Sequence, residues 1–266
     1  MSTTSVLLRA SLRVLRGNKR LIVFPVMSIT AEAVVIAAFV VAYLVMRHGS
    51  AIDSARPSIA GYGLGVLCYL VLTAVSAYVN AALLIAVGQT MDGGEPSVGG
   101  ALRSASRVLP SILAWSVMSG TVGLLIRALD RRVPIMSAVL GASWSVLSFF
   151  ALPVIVFEGV GPVKGTRRAV EVMRSAWREE VAGTLRLGGI LLLLAIPAAP
   201  VLFFGYGSEN GTAMLLAVAV CALWFGLCGL VLSCLSGVYR AALYLYATTK
   251  VAPPQFTGVD LGRAFV

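Results

Sequence analysis

The sequence is short of charge. Only 12% of its 266 residues are Asp, Glu, Lys or Arg, about half of the roughly 25% found in a soluble domain. With 59% hydrophobic residues, most of the chain must face lipid or other helices. There is one histidine, His48. It follows Arg47 at the end of an apolar run and reads as a solvated loop residue. The four cysteines, Cys68, Cys221, Cys228 and Cys234, sit in apolar runs without a Cys-x-x-Cys pair or a histidine cluster. That argues against a zinc site or a disulfide framework and fits small buried residues. A nucleophile elbow, a Walker loop, HExxH, paired metal carboxylates and a Gly-rich dinucleotide turn are all missing. The run "GYGLG" (Gly61–Gly65) is too short for a nucleotide turn and eases helix crowding. No catalytic residue, metal or cofactor is assigned. Arginines interrupt the N-terminal apolar residues, so that stretch does not read as a signal peptide.

What the sequence does contain is long apolar runs. A span needs roughly 20 apolar residues to cross about 30 Å of hydrocarbon. Six runs qualify, at roughly 21–46, 59–89, 110–128, 133–157, 186–206 and 213–248. The expected fold is all-α: a polytopic membrane helix bundle forming one domain over 1–250, with a short cytoplasmic tail at 251–266. Pro25, Pro153, Pro197 and Pro200 fall within spans and are expected to kink them. The last run exceeds a perpendicular crossing and must tilt, kink or project.

Three amphipathic segments carry much of the basic charge. In 5–16, Arg9, Arg13, Arg16 and then Arg20 recur every three or four residues, a helical stripe. In 97–109, Arg103 and Arg107 oppose Val98, Leu102, Ala105 and Leu109. In 163–181, Lys164, Arg167, Arg168, Glu171, Arg174 and Arg178 oppose Ala169, Val170, Met173, Ala176, Trp177 and Val181. Such helices are expected in the headgroup plane, with Trp177 near the interface.

Each amphipathic segment precedes a pair of spans. The pairs end on "SAYVNAAL" (Ser76–Leu83), "SVLSFFAL" (Ser145–Leu152) and "SGVYRAAL" (Ser236–Leu243). Three hairpin repeats, 5–90, 97–158 and 163–250, follow as an expectation. Thr73, Ala77 and Ala81, and likewise Gly229, Ser233, Gly237 and Ala241, are four apart. They read as small-residue packing ridges.

Net charge is +10, from 21 Lys and Arg against 11 Asp and Glu. In a membrane protein this excess orients the chain and meets anionic lipid; nucleic acid is not the expected partner. The positive-inside rule puts both termini in the cytoplasm, in a multi-pass protein of the inner (cytoplasmic) cell membrane. The loop "RALDRRVP" (Arg127–Pro134) runs against that rule, making the third and fourth spans the least secure hairpin.

The stretch "SWSVLSFFALPVIVFEGVGPVKGTRRAVEVMRSAW" resembles the central motif of an uncharacterised group of bacterial six-span membrane proteins. The shared features fall on Trp144, Phe149, Phe150, Pro153, Glu158, Gly159, Gly161, Pro162 and Trp177. The tail resembles that group's through Pro254, Phe256, Leu261, Ala264 and Phe265. Arg178 departs from the pattern, where glycine usually follows the tryptophan, and so does Ala169, where serine is common. The resemblance implies fold and location only. The arrangement is more loosely similar to the membrane region of bacterial glycerophosphodiester phosphodiesterases, without their catalytic domain.

Glu32 lies about 11 residues into the first span, roughly 16 Å deep. An intramembrane carboxylate is a functional candidate by default, with Asn80, Tyr78, Arg240 and Tyr239 as prospective partners. It is either a structural lock or a transport or proton site. Glu158 marks the cytoplasmic end of the fourth span and reads as a structural clamp. Its prospective partners are the amides of the following helix start, Arg167 or Arg168. Gly159 and Gly161 are expected to make the turn there, and Pro162 to begin the helix.

Three functions compete. The first is a non-enzymatic membrane protein whose basic helices bind anionic lipid or a partner. The second is a small-molecule or ion transporter or channel using a site near Glu32, against which stands the lack of an evident row of pore-lining polar residues. The third is an intramembrane lipid enzyme, which lacks a paired acid and base.

Overall fold

The computed structural model describes residues 17–49, 59–172 and 211–249, with a few positions between 197 and 203. A 3-10 turn, Lys19–Ile22, leads into α1, Val23–Gly49. There follow α2 (Ile59–Met91), α3 (Val98–Arg107), α4 (Leu109–Asp130) and α5 (Pro134–Glu158). Residues 162–172 form α6, and Gly211–Thr249 form α7. Among the described residues there is no strand. Five helices are long and apolar enough to cross a membrane: Arg20–Arg47, Ile59–Met91, Leu109–Asp130, Pro134–Glu158 and, within α7, Trp224–Ala242. All but four positions of the run expected at 186–206 lie outside the described residues, as does the whole segment 5–16.

Helix α2 is the hub, packing on α1, α3, α4, α5 and α7. Its C-terminal half, from Val79 to Met91, is largely buried. That half meets Leu21 and Phe24, Phe149–Val156 of α5, and Cys234–Tyr244 of α7 in one core. These positions lie toward the C-termini of α2, α5 and α7 and the N-terminus of α1. The dry core therefore sits at one end of the bundle, called here the basic end because α3 and α6 also lie there. Toward the other end the helices turn apolar side chains outward, as Ile59 (92% exposed) and Ile135 (82% exposed) show. Side chains this apolar are stable there only against lipid.

Close helix approach follows small residues only in part. A Cβ on Gly237 would lie 2.7 Å from Leu83 Cδ2, and Ala81 and Ala241 are fully buried, so α2 and α7 touch along this ridge. Gly229, expected to extend it, is exposed and has nothing within 4 Å of such a Cβ.

The prolines divide similarly. Pro153 lies inside α5. Pro25 is the third residue of α1, where its missing N–H leaves no helix bond unmade and no kink is required. The α4–α5 hairpin is tight. Residues 131–133 make the turn, Pro134 opens α5, and Ser137 Oγ donates to Asp130 Oδ1 (2.6 Å) across it.

The amphipathic helices rest on protein. Ala101 and Ala105 of α3 and Ala169 of α6 are fully buried, and Val98 and Leu102 pack against the core. Tyr78 Oη donates to Leu102 O (3.1 Å), holding α3 to α2. Gly165 lets α6 lie on α5, since a Cβ there would come within 2.5 Å of Ile155 Cγ1. In α3 and the described part of α6 the apolar stripe thus packs on the bundle, while Arg103, Arg107, Lys164 and Arg167 stay exposed. A hydrophobic stripe records that a helix face is dry, not whether lipid or protein dries it.

Candidate functional site: a polar chamber between five helices

Above the dry core the helices separate around polar side chains. Helix α2 contributes Tyr69, Thr73, Ser76 and Asn80, spaced four, three and four apart and so on one face. Ser119 comes from α4, Ser148 from α5, Glu32 from α1 and Arg240 from α7. They line a cavity of about 430 Å³ whose floor includes Leu152. A second cavity of about 420 Å³ adjoins it, sharing Tyr69, Ser119, Ser148 and Arg240 and continuing to Arg127 and Gly141. Arg127 is in the last turn of α4. The two adjoining cavities, together called the chamber, extend from the Glu32 level toward the α4–α5 turn.

Each polar group is positioned by its helix. The Cα–Cβ bonds of a helix tilt toward its N-terminus. Arg240, near the basic end of α7, therefore points away from that end and into the chamber. Its Cζ lies 4.6 Å from the Phe149 ring centroid. Tyr239 meets the same ring edge-on at 6.0 Å. Arg127 Cζ lies 5.3 Å from the Tyr69 ring centroid. Gly123 makes room for that tyrosine, because a Cβ there would stand 2.7 Å from Tyr69 Oη. Trp115 and Trp144 stack at 5.9 Å as a wall between α4 and α5.

Glu32 is half-buried and accepts a hydrogen bond from Ser28 Oγ (2.8 Å), one turn back on α1. Asn80 Nδ2 donates to Ser76 O (2.8 Å). The Ser148 hydroxyl is buried and has no hydrogen-bond partner among the described residues. A buried hydroxyl in that state costs stability unless something in the chamber satisfies it.

Glu32, Asn80 and Arg240 thus border one space. Tyr78 and Tyr239, the other prospective partners of Glu32, are engaged with α3 and Phe149. Sequence reasoning missed Tyr69, Ser119, Ser148 and Arg127. One face of α2 carries a row of polar residues along this cavity that the sequence reading did not single out. The signal was the Tyr69–Thr73–Ser76–Asn80 stripe, hidden because hydroxyls in helices bond their own backbone. Thr73 Oγ1 does so here, donating to Tyr69 O (2.7 Å).

The second candidate, at the basic end, is compact. Tyr244 Oη and Arg168 Nε both donate to Glu158 Oε1, at 3.0 Å and 3.4 Å. Arg168 Nη1 donates to Glu171 Oε2 (2.8 Å). Glu171 first, and Glu158 second, hold the Arg168 guanidinium above its ordinary range. The Tyr244 ring stacks on Phe157 at 5.3 Å. Gly159 turns the chain with φ of 66°, the left-handed conformation glycine adopts most readily. Gly161 does not share it. Arg167 is exposed and forms no ion pair with Glu158 among the described contacts. Arg9, Arg13, Arg16, Arg174 and Arg178 lie outside the described residues.

No curated protein and no solved structure matches the chain significantly. A family of unknown function, DUF6159, matches residues 59–253. That range takes in Asn80, Ser119, Ser148, Glu158 and Arg240 and leaves Glu32 before its start. The chain is a multi-pass membrane protein by its helices, and it belongs to the DUF6159 family of unknown function.

Proposed function

We propose that the protein is a non-enzymatic membrane transporter whose chamber accepts an anionic ligand. One observation carries this reading: two adjoining cavities within the spans share Arg240, and Arg127 lines the far one. Among the described residues the charged lining is Arg127, Arg240 and Glu32, an excess of positive charge that supports a preference for an anion. Desolvation by the surrounding helices strengthens that preference. The sealed core at the basic end and the chamber beyond it suit a site open to one side at a time.

Six spans, both termini cytoplasmic and residence in a bacterial cell membrane complete the proposal. That α6 lies at the basic end and α7 begins at the other supports a sixth span between them. The run 186–206 supplies the apolar length. The exposed cations at the basic end favour its placement in the cytoplasm.

The three-repeat arrangement has its own support. Asn80, Phe149 and Arg240 occupy equivalent places in "SAYVNAAL", "SVLSFFAL" and "SGVYRAAL". Asn80 and Arg240 border one cavity, and Arg240 covers Phe149.

A second role is favoured by the exposure of Arg103, Arg107, Lys164 and Arg167 on one end. Each cation near an anionic leaflet adds about 1 kcal/mol of attraction, which would hold the bundle at its proper depth.

The chamber is tested with Ser119→Cys as the sole cysteine, Cys68, Cys221, Cys228 and Cys234 being replaced by alanine. A sulfonate-bearing methanethiosulfonate should react faster than its trimethylammonium counterpart. Arg240→Gln should erase the difference. A cysteine inert to both reagents, or faster with the cation, contradicts the proposal.

A further inference from the structure

Outside the chamber, between α4 and α5, runs an apolar groove of about 520 Å³. Leu125 and Leu129 form one side and Leu140 and Leu147 the other. Ile126 and Trp144 line both the groove and the chamber. The two spaces therefore share one wall, with cations on one side and an apolar trough on the other.

Resting on the chamber reading above, we infer that the ligand is a membrane lipid with an anionic phosphate headgroup. The headgroup enters the chamber between Arg127 and Arg240, and one acyl chain lies in the α4–α5 groove. A water-soluble anion matches the guanidiniums but leaves the groove to unrelated lipid. A neutral lipid fills the groove but has no anionic phosphate for the guanidinium forks.

Arginine suits the task, because its planar fork offers parallel N–H donors to phosphate oxygens. Its face can rest on an aromatic ring meanwhile, as Arg127 does on Tyr69 and Arg240 on Phe149. The idle Ser148 hydroxyl, on the wall common to both cavities, is placed to donate a further bond. The groove opens toward the bilayer, since Leu125 is 64% exposed and Leu140 44% exposed. A lipid can therefore enter sideways without leaving the membrane.

The test uses the full-length Ser119→Cys protein in a nonionic detergent and reads its rate of modification by the sulfonate reagent. Three probes compete: lysophosphatidylglycerol, lysophosphatidylcholine with the same chain, and glycerol 3-phosphate. Lysophosphatidylglycerol should slow the reaction about tenfold at ten times its Kd, as simple occupancy requires. The other two should need much higher concentrations. Leu140→Trp, which fills the groove, should reduce that protection to the level of glycerol 3-phosphate. Equal protection by glycerol 3-phosphate would make the ligand a soluble anion and overturn the lipid inference. Equal protection by lysophosphatidylcholine would overturn the headgroup assignment. No protection by any probe, with the sulfonate preference intact, would overturn the lipid inference and leave the chamber standing. Loss of the preference itself would sink the chamber reading.

Discussion

Arg240 stands over the ring of Phe149, its Cζ 4.6 Å from the centroid, and so brings a cation from α7 onto an aromatic face of α5. The contact fixes the guanidinium at the wall between the two cavities. A partly desolvated cation–π pair contributes about 0.5–2 kcal/mol.

A double-mutant cycle of Arg240→Met and Phe149→Leu should therefore show a coupling of about 1 kcal/mol in thermal or denaturant unfolding in detergent. Additive single effects would mean that the ring supports the arginine by shape alone.

Tyr244→Phe removes the donor to Glu158 and keeps the stack on Phe157. The expected loss is about 1.5–3 kcal/mol, the range for a hydrogen bond to a charged group. Arg168→Gln should cost less, because that side chain is exposed and screened. Unfolding of the two variants in detergent checks the ranking. An unchanged Tyr244→Phe protein would show that the hydrogen bond to Glu158 adds nothing to the stack on Phe157.

Gly237→Val drives a methyl group into Leu83 and should destabilise by about 1–3 kcal/mol, the usual cost of overpacking. Gly229→Val, eight residues earlier on α7, meets open space and should be neutral. Equal effects at the two positions would contradict the α2–α7 contact.

The helix boundaries were legible because long apolar runs end at polar or turn residues. The second run, read as 59–89, is Ile59–Met91. The turn at Glu158–Pro162 was legible too, since Gly159 readily takes the left-handed backbone and Pro162 fixes φ at a value suited to a helix start. What covers the amphipathic helices was not, because burial of Ala101 and Ala169 against protein leaves the same stripe as burial in lipid. The chamber was legible only at Glu32, Asn80 and Arg240, whose polarity is conspicuous in an apolar span. Ser119, Ser148 and Tyr69 are common in spans and satisfied locally in most of them. Their meaning comes from three helices converging, which no periodicity within one helix can record.

Sidedness follows from the same geometry. Arg132→Cys, in the α4–α5 turn, and Lys164→Cys, on α6, should label from opposite faces of sealed vesicles, Lys164→Cys from the cytoplasmic face. Labelling of both from one face would contradict the topology.

The chamber's opening is the central claim, and sided modification of Ser148→Cys tests it most directly. In a background without other cysteines, the sulfonate reagent is applied to right-side-out or inverted vesicles. The account predicts reaction from the face that labels Arg132→Cys, with slow or no reaction from the Lys164→Cys face, where the core of Phe150, Ile155 and Leu84 closes the path. Rapid reaction from the Lys164→Cys face, or none from either, would contradict it.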